Sequence, residues 1–413
     1  MNYREITDGS VTSPKGFTAA GIIAGLKRNG QPDLALIFSD RPAVPAGAFT
    51  SNLFAAAPVE WDRHLLNRGA MIRAVVVNSG NANACTGAQG ALDAQEMATY
   101  TAGKLGVDRK EVLVSSTGRI GVPMPMDIIR HGIDLACGAL SADGGPDAAM
   151  AIITTDTIPK RIAVELEIGG KKVTIGAMTK GAGMIAPQMT PCRTRPRQAT
   201  MLAYFTTDAC IGSEALQEAL NAALDASFNR IVVDGDTSTN DSMILLANGA
   251  AGNAEIAYDS DEWRLFVAAL THCAAYLAKE MVRDGEGVSK FVELVINGAP
   301  DDVSARKVAE SIARSPLCKT AWFGADPNWG RILCAAGYSK VPFKPTQVTL
   351  KYDDVTVVVN GLGTEVTEEE MAEIMRKPQV RITLDLGAGN GNFVLWTCDL
   401  SHDYVTINAD YHT

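Results

Sequence analysis

The chain has 413 residues, of which 46% are hydrophobic and 20% charged, so it can build the cores of two or three domains. Its 37 Lys and Arg against 47 Asp and Glu give a formal net charge of −10, which excludes the broad basic surface of a generic nucleic-acid binder. The polar start (MNYREITDGS) is unlike a signal peptide, and no uncharged apolar run reaches 18 residues. We therefore expect neither nucleic-acid nor membrane partners.

The eight cysteines are scattered along the chain, with no CxxC pair and no Cys/His cluster at zinc spacing. Isolated cysteines in a long chain are mostly small buried hydrophobic residues. We therefore expect free thiols, no metal site and a reducing, cytoplasmic compartment.

In the first half, short apolar runs predict strands and apolar residues at helical spacing predict helices. The strands fall at residues 34–38, 71–77 and 112–114, and the helices at residues 91–105, 126–140 and 146–153. Two further runs, 162–168 and 173–178, flank Gly169-Gly170 and predict a β-hairpin. A stretch rich in Gly, Pro and Arg, residues 181–198, then breaks the periodicity.

The pattern resumes at residue 200. It predicts strands at 200–206, 230–233 and 243–247 and helices at 214–227 and 262–283. From residue 291 it predicts strands at 291–296, 380–386, 393–397 and two around 348–359, with helices at 303–314, 328–336 and 368–375. We therefore predict a mixed α/β fold, with a first domain over residues 1–290 and a smaller α+β domain over residues 291–413.

Several common motifs are absent or incomplete. The sequence contains neither GxxxxGK[ST] nor GxSxG, and the Gly-rich residues 387–391 predict a turn between two strands. The acidic loop 234–241 (DGDTSTND) resembles a calcium loop but has Thr239 at the sixth position and Leu245 at the twelfth. We interpret it as a hydrogen-bonded turn and predict no metal site.

Two polar, Gly-rich segments follow predicted strands: NSGNANACTG at 78–87 and SSTGRIG at 115–121. Loops at the carboxyl ends of strands in α/β sheets commonly hold ligands. The backbone N–H groups around Thr117 and Gly118 can point at an anion, as an oxyanion hole requires. Taken alone, each segment is more often an internally satisfied loop than a ligand site.

A third segment, KGAGMIAPQM at 180–189, precedes Ala199 and Thr200, and Thr200 opens a predicted strand. If the chain is cut before such a Thr, the new α-amine can act as general base for its own Oγ. An uncut Thr at the start of a strand is the ordinary alternative.

The segments KGAGMIAP and ATMLAYFTTDA resemble the self-cleaving segment of the ornithine acetyltransferases, the bifunctional proteins of arginine biosynthesis. Further segments resemble that family in chain order: NSGNANACTG, SSTGRIG, TTDTIPK (154–160), DGDTSTNDS (234–242), RDGEG (283–287), SPLCKTAWFGADPNWGR (315–331) and INADYHT (407–413). Because the matches span nearly the whole chain, it is identified as a member of this family.

The resemblance implies self-cleavage between Ala199 and Thr200 into α and β chains. Thr200 Oγ then attacks the acetyl carbonyl of N2-acetyl-L-ornithine, donors at Thr117 and Gly118 hold the oxyanion, and L-glutamate receives the acetyl group. The substrate contacts that it implies are Thr154, Lys180, Thr200, Glu286, Asn408 and Thr413.

The resemblance further implies a layered α/β/β/α first domain, an α2β2 assembly and no cofactor. Many members also accept acetyl-CoA as a donor. The physical chemistry of the residues agrees, because Lys180 suits a substrate carboxylate and the freed amine activates a weak Thr nucleophile. Glu286 suits either a substrate ammonium group or proton transfer.

The chain departs from the family pattern by nine residues, 190–198 (TPCRTRPRQ), inserted before Ala199. We expect cleavage before Thr200 nevertheless, with the insert left at the end of the α chain. Two other functions stay open at this stage. One is an N-terminal-nucleophile amidohydrolase or aminopeptidase in which water replaces glutamate, and the other is an uncut precursor that only binds amino acids.

Overall fold

The computed structural model describes residues 2–191 and 201–410, so Ala199, Thr200 and Thr413 lie outside the described residues. The strands are β1 Tyr3–Glu5, β2 Phe17–Ile22, β3 Leu34–Phe49, β4 Ile72–Asn81, β5 Val112–Arg119, β6 Lys160–Ile168, β7 Lys171–Lys180, β8 Thr190–Pro191, β9 Leu202–Thr207, β10 Ile231–Val232, β11 Ser242–Ala247, β12 Phe291–Ala299, β13 Thr349–Tyr352, β14 Val355–Val359, β15 Leu362–Gly363, β16 Gln379–Asp385 and β17 Gly391–Cys398.

The helices are α1 Ala57–Asn67, α2 Gly87–Leu105, α3 Met126–Ala139, α4 Gly145–Ile152, α5 Ser213–Asp225, α6 Asp261–Arg283, α7 Asp302–Ala313, α8 Pro316–Phe323, α9 Trp329–Gly337, α10 Glu368–Met375 and α11 His402–Asp410. The mixed α/β class predicted from the sequence is confirmed. The predicted strand at 200–206 is described as β9, which begins at Leu202.

The first sheet has ten strands, in the order β1-β6-β7-β9-β11-β3-β4-β5, with β2 and β8 also paired to β3. Its shape depends on β3, whose first half pairs with β2 and β4 and whose second half pairs with β11. The β3–β4 register shifts between Phe38 and Ala43. The first sheet therefore forms two β layers, and strand β3 belongs to both of them.

Apolar residues fill three spaces around these two β layers. One core lies between α5 and α6 and the face of β6, β7, β9 and β11 that carries Ile175 and Phe205. A second lies between the β layers and includes Ile37 and Tyr204, and a third lies under α2 and α3. The order helix, sheet, sheet, helix is the layered arrangement that the family resemblance implies.

The second sheet has seven strands, in the order β10-β17-β12-β16-β13-β14-β15. Its core includes Leu294 of β12 and Ile312 of α7. Strand β10 precedes residue 291 in the chain but pairs with β17, which links the two parts. The domain boundary at residues 290/291 stays a prediction.

Helix α6 is the one helix of the described residues that is long and apolar enough to cross a membrane by length and composition. Half of its most apolar 18-residue stretch is buried inside the protein. Residues such as Phe266 and Leu277 pack into the core against the first sheet. A helix that packs into a protein core can have the same length and composition, and α6 packs in this way.

Candidate active site

The two polar segments predicted to bind ligand lie side by side because β4 and β5 are parallel neighbours. The prediction that both segments are loops is wrong for their first residues, since β4 continues to Asn81 and β5 to Arg119, so Thr117 and Gly118 are strand residues. Their register pairs Ser79 with Thr117 and Gly80 with Gly118. Gly118 has φ +130°, and a Cβ added there would lie 2.4 Å from the carbonyl carbon of Gly80. Only glycine permits both this conformation and this close approach, so the oxyanion-hole candidate depends on Gly118.

Lys180 brings a positive charge to Thr117. It is the last residue of β7 and only 5% exposed, and its Nζ lies 3.4 Å from Thr117 Oγ1. Burial lowers the pKa of the Lys180 ammonium, and the Asp156 carboxylate opposes this effect. In the antiparallel pairing of β7 with β9, Lys180 faces Leu202. The backbone of Lys180 therefore lies beside the start of β9, and Leu202 is two residues after Thr200 in the sequence.

Glu286 places a negative charge in the same cavity. Its backbone N–H donates to Ala182 O at 3.0 Å, and its Oε2 accepts a 2.7 Å hydrogen bond from Asn408 Nδ2 of α11. A Cβ added to Gly183 would lie 2.4 Å from the Glu286 carboxyl carbon. The carboxylate thus fills the space that a side chain at residue 183 would occupy.

These groups line one cavity of about 100 Å³. All six predicted site residues within the described part of the chain contribute to it: Thr117, Gly118, Thr154, Lys180, Glu286 and Asn408. The sequence did not predict the remaining lining residues, which are Ala82, Ile120, Thr155, Gly183, Met184, Ser238, Thr239 and Asn240. Thr200, Ala199 and Thr413 are outside the described residues.

The acidic loop 234–241 forms a hydrogen-bonded network beside this cavity. Asn240 Nδ2 donates to Ala82 O at 2.6 Å and to Ser116 O at 2.8 Å, which links the loop after β4 to strand β5. The Asp234 carboxylate accepts from the backbone of Met184 at 2.6 Å and of Ile185 at 2.9 Å. The loop therefore positions three cavity segments, and its motif was the sequence signal for Asn240.

A buried ammonium, a carboxylate and hydrogen-bond donors surround a small polar cavity in a four-layer α/β fold. This arrangement defines a site for a small substrate that carries both charges. The sequence matches the ArgJ family over residues 18–413, and the chain belongs to this family.

Relatives match along their whole length. The arginine biosynthesis bifunctional protein ArgJ of Symbiobacterium thermophilum is 49% identical over 407 residues, which cover 98% of this chain and 99% of that protein. The protein of the same name from Bacillus licheniformis is 44% identical over 407 residues, or 98% and 97% of the two chains. A solved structure of ornithine acetyltransferase complexed with ornithine, from Mycobacterium tuberculosis, is 41% identical, covers 46% of this chain and 100% of that chain, and has a TM-score of 0.43.

Proposed function

We propose that this chain transfers the acetyl group of N2-acetyl-L-ornithine to L-glutamate, giving L-ornithine and N-acetyl-L-glutamate. The observation that carries the proposal is the cavity itself, where Lys180 and Glu286 lie with Thr117 and Gly118 beside the start of β9. The names of the curated relatives place those proteins in arginine biosynthesis, which agrees with this chemistry.

Cleavage between Ala199 and Thr200 frees the α-amine of Thr200. This amine takes the proton from Oγ as Oγ attacks the acetyl carbonyl, and the N–H of Gly118 with the Thr117 hydroxyl stabilises the oxyanion. Ornithine leaves with the proton, and acetyl-Thr200 remains. The neutral amine of glutamate then attacks the same carbonyl and gives up a proton to the Thr200 α-amine. The bond between the carbonyl carbon and Oγ breaks, and Oγ takes that proton, which restores free Thr200.

The charges of the cavity match acetylornithine at both ends, and Lys180 also suits glutamate. Lys180 pairs with a carboxylate of either substrate, and Glu286 with Asn408 receives the side-chain ammonium group of acetylornithine. Thr154 lines the same cavity and contributes a polar group to the substrate. The proposal also includes Thr413 as a substrate contact, as the family resemblance implies.

We extend the proposal to three properties that the family resemblance implies for this chain. The chain uses no resident cofactor and accepts acetyl-CoA as an alternative donor, and two α and two β chains assemble as α2β2. We also propose a cytoplasmic location. Every cysteine that the structure describes is a free thiol, which agrees with a reducing compartment.

Initial-rate kinetics test the transfer. With acetylornithine and glutamate both varied, a covalent acetyl-Thr200 intermediate predicts parallel lines in reciprocal plots. Intersecting lines without trappable acetyl on the β chain would contradict the intermediate. Release of free acetate in place of acetylglutamate would favour the amidohydrolase alternative.

The intact mass of the denatured protein tests the cleavage. Two chains, of 199 and 214 residues by their place in the 413-residue sequence, should appear, and the second should begin TMLAYF. A chain that begins TPCRTR would instead place the nucleophile at Thr190. A single uncut chain without transfer activity would indicate that the nine-residue insert blocks processing, and deleting residues 190–198 should then restore both.

A further inference from the structure

Buried charges lie directly behind the cavity, on residues to which the proposed reaction gives no role. Lys160 Nζ lies 2.8 Å from Asp156 Oδ1 and 2.5 Å from Asp284 Oδ2. The side chains of Lys160 and Asp156 have no solvent exposure, and that of Asp284 has 6%. Because desolvation makes buried ion pairs poor sources of stability, this group calls for a functional explanation.

Asp156 is the junction between this group and the cavity. Its Oδ1 accepts from the backbone N–H of Gly181 at 2.6 Å, and its Oδ2 from that of Thr154 at 3.1 Å. Gly181 follows Lys180 directly, and Thr154 lines the cavity. One carboxylate therefore holds two of the segments that carry proposed substrate contacts.

Lys180 lacks an ion-pair partner among the described residues, although it is buried. The charged groups that act on it come from five segments around it: Asp156 before β6, Lys160 on β6, Glu286 after α6, Asp241 before β11 and Lys27 between β2 and β3. Burial lowers the pKa of Lys180 most, and among the opposing carboxylates Asp156 has the largest effect.

The groups around Asp156 favour its ionised form. Burial raises its pKa, but Lys180, Lys160 and the hydrogen bond from Gly181 together outweigh burial and bring the pKa to about 2. The carboxylate therefore places a negative charge at the backbone of Gly181, the residue that follows Lys180.

We propose that Asp156 is a positioning residue that keeps Lys180 protonated and directed at the substrate carboxylate. This inference rests on the proposed function, since it takes Lys180 as the group that binds that carboxylate. Lys160 forms ion pairs with both Asp156 and Asp284. Because Asp284 directly follows α6, these ion pairs anchor Asp156 to the end of that helix. Without the Asp156 charge, Lys180 loses its proton at a lower pH and no longer binds the carboxylate.

The variant Asp156→Asn tests this role, because its amide oxygen can still accept from Gly181 N–H. We expect the alkaline fall of kcat/KM to move down by about one to three pH units, the usual effect of one nearby charge. The change should lie mainly in KM. Asp284→Asn is the matched control, since it removes a carboxylate from the same Lys160 without facing Lys180. It should lower the melting temperature and leave the alkaline fall in place.

A second readout does not need catalysis. The rate at which fluorodinitrobenzene labels Lys180, measured by peptide mass mapping across pH, should reach half its maximum at a lower pH in Asp156→Asn than in the parent protein. An unchanged labelling profile overturns the inference. A parent protein that labels as expected but makes no acetylglutamate overturns the proposed function instead.

Lys180→Arg tests the same inference even if the Asp156→Asn variant does not fold. A guanidinium keeps its proton without help from a neighbour, so the alkaline fall assigned to Lys180 should disappear. An alkaline fall at the parent's pH in Lys180→Arg would show that another group titrates there and would also overturn the inference.

Discussion

Gly183→Ala offers a sharp test of the cavity, because the new methyl group meets one identified carboxylate. The added Cβ would lie 2.4 Å from both the carboxyl carbon and Oε1 of Glu286. Carbon atoms in contact are about 3.5 Å apart, so the carboxylate must retreat by about 1 Å. Its 2.7 Å hydrogen bond from Asn408 would then break or lengthen.

If Glu286 contacts substrate as proposed, a displacement of this size should lower kcat/KM by about 100-fold, or about 2.7 kcal/mol in activation free energy. The fold should tolerate the change, because Gly183 is not among the glycines with positive φ. The assay is the initial rate of acetylglutamate formation at varied acetylornithine. Gly103→Ala on α2 is the control, since a Cβ there meets nothing within 4 Å, and it should leave kinetics unchanged.

Glu286→Asp completes a double-mutant cycle. The shorter side chain withdraws the carboxylate from residue 183, so Gly183→Ala should cost much less in this background than in the parent. Parent-like kinetics in Gly183→Ala, or an equal loss in both backgrounds, would refute the contact between Gly183 and Glu286 as the cause.

Other expected outcomes concern the oxyanion hole, the chain end and a buried acid. Thr117→Ala should lower kcat by about 10²- to 10³-fold with little change in melting temperature, whereas Thr117→Ser should retain activity. A tag fused after Thr413 should raise KM for acetylornithine several-fold, and unchanged kinetics would remove Thr413 from the site. Asp62 is fully buried and accepts one hydrogen bond from Val114 N–H, and burial raises its pKa well above the usual value. Above about pH 4, Asp62 ionises in the unfolded chain more readily than in the folded protein, so the folded protein loses stability as the pH rises. Asp62→Asn should therefore raise the melting temperature at pH 8 more than at pH 4, as calorimetry can measure.

The local sequence pattern predicted those helices and strands whose apolar residues follow one strong periodicity. The hairpin around Gly169-Gly170 and the long apolar helix α6 lie close to their predicted bounds. Strand β3 was predicted only as far as Phe38, because its second half contains Asp40, Arg41 and two prolines. Pairing with β11 keeps that half extended, and this partner lies some 200 positions away in the sequence.

The site could be predicted where a family motif carried it, and less well where charges from distant segments meet. Thr117, Lys180 and Glu286 stand in recognisable motifs and line one cavity. The contact between Lys160 and Asp284 joins residues 124 positions apart, and neither motif alone shows that their side chains meet inside the protein. Helix α11 was missed because no residue of it is buried, so it lacks an amphipathic pattern.

The order of strands in the first sheet has a consequence for maturation. Strands β9 and β11, which follow the proposed cut, lie between β7 and β3, which precede it. Each proposed product would therefore leave a gap in the sheet and expose strand edges that the other covers. We therefore expect folding to precede the proposed cleavage, and we expect the two chains to assemble poorly when they are made separately. If the proposed cut occurs, the uncut chain is the folding unit, and the two product chains share one interleaved sheet.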